Sequence, residues 1–406
     1  MKVAQINTVY EYGSTGRNCS ELCGYLRENG VDCVNIYSKG KKSDGGYVVA
    51  SVLECKLAAL LSRVTGYHAH NSLISTNRLL KILSKEKPDV VCLNNLHSNY
   101  VNLPQLLSFL SINQIPTVAI LHDCWFYTGY CTHYTYIRCD KWKRSCGDCK
   151  YVIQDGGTWF FDRTKQMWDD KKKYFNSITN LAVVGVSKWI TNEAKKSPIF
   201  GRAKEIVHIG NWIDLSVFRP KYSNKKIEGF SVLVEATKWY DMRNCEVKKN
   251  LLSNLWADCK ILLLGNEQKD EIDDPRVINL GYINNIEKLV EVYNTADCYL
   301  HMSYEDSFGK IVAESMACGT PVIVYDSTAL PEFVVNERCG YVVKPGDGKD
   351  IICALDKIRG NGKKYYKDEC VSLAKEKFEK QKQCVKYLEL FKRMVGENSV
   401  ADICIH

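Results

Sequence analysis

Apolar runs of strand length alternate with helix-length amphipathic segments from one end of the chain to the other. In the first half the apolar runs fall at 3–9, 31–37, 90–96, 116–121, 182–187 and 205–209, with helical periodicity between them at 17–28 and 103–111. The runs are near-continuous rather than alternating, as strands are when both faces of their sheet are covered. The second half repeats the theme, with strands at 231–235, 261–264, 277–280, 298–302 and 322–325. Helices fit at 286–295 and 310–317, the second stopped by Gly319 and Pro321. The pattern predicts an α/β protein of two Rossmann-like, doubly wound domains whose strand ends face one another across a cleft.

The expected division is a first domain over 1–218, carrying a cysteine-rich insertion at about 124–163, and a second over 219–380. The break is placed at 219–229, where Pro220, Asn224 and a lysine pair follow the last strand unit. Residues 381–406 form a C-terminal helix and tail, the helix spanning about 380–394 with apolar positions at Val385, Leu388, Phe391 and Val395. That spacing needs a surface to pack on, and the first domain is the expected one.

A chain of 406 residues suits two cores better than one. With 45% apolar and 25% charged residues, its composition is that of an ordinary globular protein. The start MKVAQINTVY reads as a buried strand rather than a signal peptide, and no apolar window reaches the length of a membrane span. A cytoplasmic protein is therefore expected. Nineteen cysteines, most of them single residues within apolar runs, read as reduced thiols rather than a disulfide scaffold. The net charge of +8 comes from basic residues interleaved with acids, as in Asp169-Asp170-Lys171-Lys172, and chooses no partner by itself.

The stretch 297–332 carries the densest chemistry. A strand ends near Ser303, a polar loop holds Glu305, Asp306, Ser307, Phe308 and Gly309, and a helix begins at Lys310. The first amides of that helix and its dipole suit an anion such as a diphosphate. Glu314, one turn inside, suits a ribose diol, and Asp306 lies nearer a sugar. Ordinary acids on a surface helix are the plainer reading of any one of them.

Taken together, Asp306, Phe308, Gly309, Glu314 and the run Ala317-Cys318-Gly319-Thr320-Pro321 resemble the signature of the retaining glycosyltransferases of family 4, which share the GT-B fold. Asn211-Trp212-Ile213-Asp214 with Phe218 is similar to that family's linker entry, with Trp for Gly. The family's two donor-phosphate cations correspond to Lys238 and Arg243, with the residue types exchanged, and Lys248 and Lys249 stand close by. Gly13-Ser14-Thr15-Gly16-Arg17 lies between the first strand and helix, where glycines permit close backbone approach. The resemblance has this loop face the donor across the cleft and help shape the acceptor side, with Gly13 and Gly16 among the donor- and phosphate-binding residues. His122, at the end of a strand, is by itself more often structural, but the resemblance implies that it packs against the donor sugar.

Cys131, Cys139, Cys146 and Cys149 stand in a loop rich in aromatic and basic residues. The Cys146–Cys149 spacing is that of a metal knuckle, and a structural zinc is one reading, with Cys124 and His133 as alternative ligands. A redox pair and plain buried thiols are the others. Similar insertions occur in bacterial polysaccharide-assembly members of the family. The resemblance thus implies retaining sugar transfer without a catalytic metal, from a UDP- or GDP-linked donor to a saccharide acceptor on polyprenyl diphosphate. The loop at 130–151 either rests on an anionic membrane or packs on its own domain. A sugar-nucleotide epimerase is the rival enzyme. A zinc-stabilised nucleic-acid module is the rival binder, and it leaves 297–332 unexplained; no nucleic-acid partner is expected.

Overall fold

The computed structural model describes residues 1–40, 45–221, 227–266 and 274–396. Within them the chain forms two units, Met1–Gly210 with the segment from Gln381 onward, and Asn211–Lys380.

The first unit holds a seven-stranded sheet: β1 (Lys2–Val9), β2 (Asp32–Lys39), β3 (Gly46–Val48), β4 (Val90–Leu93), β5 (Thr117–Leu121), β6 (Leu181–Gly185) and β7 (Glu205–His208). All pairings are parallel, in the order β3-β2-β1-β4-β5-β6-β7. Its helices are α1 (Gly13–Glu28), α2 (Val52–Thr65), α3 (Leu73–Glu86), α4 (Leu103–Ile112), α5 (Lys150–Gln154), α6 (Thr164–Phe175) and α7 (Lys188–Ala194). The central strand β4 is apolar on both faces, with no exposed surface on Val90, Val91, Cys92 or Leu93. Each buried aliphatic side chain of this kind contributes about 1.5–3 kcal/mol.

The second unit repeats the design with β8 (Phe230–Glu235), β9 (Cys259–Leu264), β10 (Val277–Gly281), β11 (Cys298–His301), β12 (Val322–Tyr325) and β13 (Gly340–Val343), in the order β10-β9-β8-β11-β12-β13. These pairings are also parallel. Helices α8 (Ala236–Trp239), α9 (Cys245–Asn254), α10 (Ile286–Thr295), α11 (Lys310–Ala317), α12 (Gly348–Asn361) and α13 (Lys363–Phe378) surround it. The doubly wound reading of both halves holds. The periodicity did not reveal β3 and β13: one is three residues long at a sheet edge, the other is a four-residue strand that opens on a glycine.

Residues 211–218 go with the second unit, ahead of the expected break. Ile213 pairs with Glu379, its amide donates to the Phe378 carbonyl (2.8 Å), and Asp214 lies 2.8 Å from Lys380. Residues 222–226, which include Asn224 and the lysine pair of the expected linker, lie outside the described residues, as does the tail 397–406. The last helix, α14 (Lys380–Val395), belongs with the first unit from Gln381 onward. Asn180 Nδ2 donates to the Met394 carbonyl (2.8 Å), and Arg393 pairs with Glu205 (3.3 Å). Its buried face is Cys384, Tyr387, Leu390, Phe391 and Met394; Val385, expected inside, is 37% exposed. Cysteine and tyrosine supply the inner stripe, so the stripe is rotated from the one that aliphatic positions suggest.

Candidate active site

Open α/β sheets bind ligands beyond the carboxyl ends of their strands, where strand order reverses. In the second unit that point lies between β8 and β11. β8 runs into α8, which carries Lys238, and the turn beyond carries Asp241 and Arg243. β11 ends at His301 and continues through Glu305, Asp306 and Ser307 to α11.

Asp306 organises this loop. Its Oδ1 accepts the amides of Phe308 (3.0 Å) and Gly309 (2.8 Å), and its Oδ2 lies 3.2 Å from His301 Nε2. His301 is buried, with Nδ1 2.8 Å from the hydroxyl of the fully buried Tyr299. Burial alone would push the Asp306 carboxyl up. The hydrogen bond and charge of His301, the Phe308 amide and the charge of Lys238 outweigh it and bring the group down to about 2. Asp306 is therefore an anion at neutral pH.

The Phe308 and Gly309 amides that lead into α11 are taken by Asp306. Gly309 has φ 81°, which only glycine adopts without strain, so its identity answers to the loop's turn. Phe308 belongs to an aromatic cluster with Phe333 (5.3 Å) and Phe378 (5.5 Å), so its ring is part of the core. Ser307 is buried, and its Oγ has no hydrogen-bond partner among the described residues. Lys310 is half-buried at the start of α11.

Arg243 lays its guanidinium on Asp241, with Nε 3.0 and 2.9 Å from the two carboxylate oxygens and Nη2 at 2.6 Å. It stacks 5.2 Å over the Tyr304 ring and reaches Glu305 at 3.8 Å. Lys238 acts electrostatically on both Asp241 and Asp306. Of the two neighbouring lysines, Lys248 is buried with its amine over the Tyr240 ring (5.4 Å), and Lys249 pairs with Glu246 at the surface (2.9 Å). Glu314 is an interior carboxylate: it is 2% exposed, and its Oε2 accepts the hydroxyl of buried Tyr293 (2.9 Å). The structure thus brings Lys238, Arg243, Glu305 and Asp306 together and sets Glu314 beneath the surface. His301, Tyr299 and Asp241 complete the loop and were missed. A histidine closing an otherwise apolar strand just before the acids was the available signal.

In the first unit the reversal lies between β1 and β4. Gly13 opens α1 with φ 66° and open space around its α-carbon. Gly16 is buried; a Cβ there would lie 3.1 Å from Val9 and 3.3 Å from the Tyr10 backbone, so close helix–strand packing demands it. His122, after β5, has Nε2 2.9 Å from Asn94 Oδ1, so that nitrogen carries the proton. Beside it a second pair was not foreseen: His97 Nε2 lies 2.9 Å from Asp123 Oδ2, and the Trp125 amide donates to Asp123 Oδ1 (2.9 Å). Burial raises the Asp123 carboxyl, but the His97 hydrogen bond and charge and the Trp125 amide hold it below the usual range. A cavity of about 300 Å³ adjoins this pair, lined among others by Arg63, His97, Asn99, Trp125, Tyr130 and Asp155.

The insertion packs on its own unit. Trp142 is buried against Tyr127 (5.0 Å) and Tyr134 (4.9 Å), and its carbonyl accepts from Trp168 Nε1 (3.0 Å). Buried Lys171 donates to the carbonyls of Trp125 (2.5 Å) and Thr128 (2.9 Å). Of the aromatic residues of 130–151, Tyr134 and Trp142 are core, Tyr130 and Tyr151 are half-buried, and Tyr136 is exposed beside Ile137. Cysteines among the described residues are free thiols. Cys131, Cys139, Cys146 and Cys149 act on one another; a hydrogen bond from Cys131 lowers the Cys149 thiol to about 6, and burial raises Cys146 to about 11. Among the described residues, no three His, Cys, Asp or Glu side chains are arranged to hold a metal ion. No helix among those residues is long and apolar enough to cross a membrane.

Residues 257–395 match the family "Glycosyl transferases group 1". The chain is 31% identical over 112 residues to the D-inositol 3-phosphate glycosyltransferase of Mycobacteroides abscessus, a match covering 24% of this chain and 25% of that one. It is 23% identical over 268 residues to WcaC of Escherichia coli (strain K12), provisionally named a colanic acid biosynthesis glycosyl transferase, covering 63% of this chain and 64% of that one. The chain therefore spans between a quarter and just under two-thirds of the length of these relatives. In fold it is similar to Anabaena Alr3699/HepE, crystallised in complex with UDP, with a TM-score of 0.66 at 13% identity over 97% of this chain and 100% of that one.

Proposed function

We propose that this chain, a group 1 glycosyltransferase by its residues 257–395 and built on the GT-B fold, moves a sugar from a UDP- or GDP-linked donor to a saccharide on polyprenyl diphosphate. The reaction retains anomeric configuration, needs no catalytic metal, and serves bacterial surface polysaccharide assembly in the cytoplasm, with peripheral contact to the membrane. The observation that carries the reading is the set of Lys238, Arg243, Glu305 and Asp306 gathered where strand order reverses in the second unit.

Two cations at that position suit a diphosphate, whose negative charge grows as the sugar departs. Arg243 exchanges Asp241 for phosphate oxygens, keeping its forked geometry. The acceptor hydroxyl attacks the anomeric carbon on the face the diphosphate leaves, and the hydroxyl proton passes to the departing phosphate oxygen. Asp306, ionised throughout, orients the sugar rather than donating a proton. The orphaned Ser307 hydroxyl is available to the donor. Glu314 holds the Tyr293 hydroxyl through Oε2, and its Oε1 is the oxygen proposed for a ribose. His122, whose Nε2 donates to Asn94 Oδ1, is proposed as a sugar-contacting residue on the family resemblance.

A thermal-shift screen against nucleotide sugars and free nucleotides tests this, since a donor well above its Kd raises the melting midpoint by mass action. One nucleotide stabilising the wild type but not Lys238→Ala is the expected result. No response to any nucleotide sinks the reading. A structural zinc at Cys131, Cys139, Cys146 and Cys149 is proposed alongside on the Cys146–Cys149 spacing. It requires these side chains to move, since no three of them are arranged to hold an ion as they stand. Elemental analysis showing no zinc in freshly purified protein removes it.

A further inference from the structure

The helix α2 is built inside out. Leu53, Leu57, Leu60, Leu61 and Val64 follow the i, i+4, i+7, i+8, i+11 spacing of an apolar stripe, which a globular protein ordinarily turns inward. Here the stripe is exposed, from 37% at Val64 to 76% at Leu53, while Ala58 and Ser62 face the protein. Ser62 fixes this orientation: its hydroxyl donates to the Ala58 carbonyl (2.8 Å) and lies 3.1 Å from Asn99 Oδ1. A second apolar group adjoins the helix. Trp159, Phe160 and Phe161 are 51%, 65% and 49% exposed. The Trp159 amide donates to the Arg63 carbonyl (2.8 Å), and the Phe161 carbonyl lies so near Gly66, the C-cap of α2, that a Cβ there would be 2.4 Å away. Helix stripe and aromatic run form one surface.

We propose that this surface is the face on which the protein lies against an anionic lipid bilayer. Three features commit it to lipid rather than to a protein partner. The exposed charges set among the stripe, Lys56 and Arg63, are cationic, while Glu54 is turned to Arg78 (2.9 Å) and to the helix cap. A tryptophan and two phenylalanines beside leucines and basic residues are the composition of an interfacial segment. The cavity of about 300 Å³ shares Ala59 and Arg63 with α2, and Gly157 with the approach to Trp159. The contact expected from the 130–151 loop moves to a different part of the same unit. Its purpose rests on the lipid-linked acceptor proposed above; its measurement does not.

Co-sedimentation of the full chain with phosphatidylcholine vesicles, with and without phosphatidylglycerol, tests the face. The wild type should bind the anionic vesicles and release as salt rises. Leu57→Ser/Leu60→Ser and Phe160→Ser/Phe161→Ser should each lose about tenfold or more in binding with unchanged melting midpoints, because these side chains are exposed. Tyr136→Ser/Ile137→Ser, on the insertion, should bind as wild type. No vesicle binding by the wild type, or full binding by the α2 and Phe variants, overturns the proposal. So does a wild-type dimer that those variants convert to monomer, for then a second copy covers the face. Vesicle binding without sugar transfer counts against the catalytic reading alone, and transfer to a water-soluble acceptor without vesicle binding counts against the docking face alone.

Discussion

Replacing Asp306 with asparagine removes a charge while preserving shape. The amide oxygen still accepts from Phe308 and Gly309, and its NH2 can donate to His301 once the Tyr299 hydroxyl takes the opposite role at Nδ1. What is lost is the preference of this pocket for an anion. A fall from 3.8 to about 2, at about 1.4 kcal/mol per pH unit, corresponds to roughly 2 kcal/mol. The carboxyl is depressed in the folded protein, so this stability is fully present above the unfolded value near 3.8. It is lost as pH falls toward 2. Wild type should therefore exceed Asp306→Asn by about 2 kcal/mol at pH 7 and by about half that near pH 3. Equilibrium urea unfolding by tryptophan fluorescence, with the transitions of the two units fitted separately, measures the gap. A gap below about 0.5 kcal/mol at pH 7, or one that does not narrow in acid, would refute the charge-centred account of this loop.

Other substitutions probe different parts of the argument. Glu314→Ala should weaken nucleotide binding and turnover together, whereas Tyr293→Phe should cost about 1 kcal/mol of stability and leave Glu314 freer to reach a ribose, tightening nucleotide binding; calorimetric titration separates them. Gly185→Ala places a Cβ 2.1 Å from Thr191 Oγ1 and 2.7 Å from its amide nitrogen, so a loss of about 2 kcal/mol in urea unfolding is expected. Cys149 is half-exposed with its thiol at about 6, whereas Cys23, lowered as far, is buried. Cys149 should therefore be the first cysteine alkylated by iodoacetamide at pH 7 in metal-free protein, as read by peptide mass mapping. Prior addition of equimolar zinc should protect it if the proposed site forms.

Much of the fold was legible because parallel strands covered on both faces are spelled as unbroken apolar runs. β12, α10 and α11 fall on the expected residues, since glycine, proline and asparagine mark their ends. β3, only three residues long, is too short to carry that signature and escaped, whereas the edge strands β7 and β10 were legible. The loop 303–309 was legible as a place but not as a circuit. Sequence shows that Asp306 precedes Phe308 and Gly309, but not that its carboxylate would consume their amides. Nor does linear order show that Glu314 faces Tyr293, a partner set by the packing of α10 on α11. The His97–Asp123 pair joins residues from the ends of two different strands, and only sheet order makes them neighbours. The outward stripe of α2 was invisible for a related reason: periodicity reveals that a helix has an apolar face, never which way the face points.

The return of the chain to its first unit through α14 bears on how the protein is made. The second unit is a single uninterrupted stretch, Asn211–Lys380, and has all its strands once that stretch is synthesised. The first unit begins earlier on the ribosome yet waits for Tyr387, Leu390 and Phe391, which are buried within it. It is thus started first and finished last, leaving an uncovered apolar patch throughout synthesis of the other. During that interval the nascent chain depends most on chaperones. A stop codon just after Lys380 would spare the unit nearest to it and unfold the one that begins at Met1.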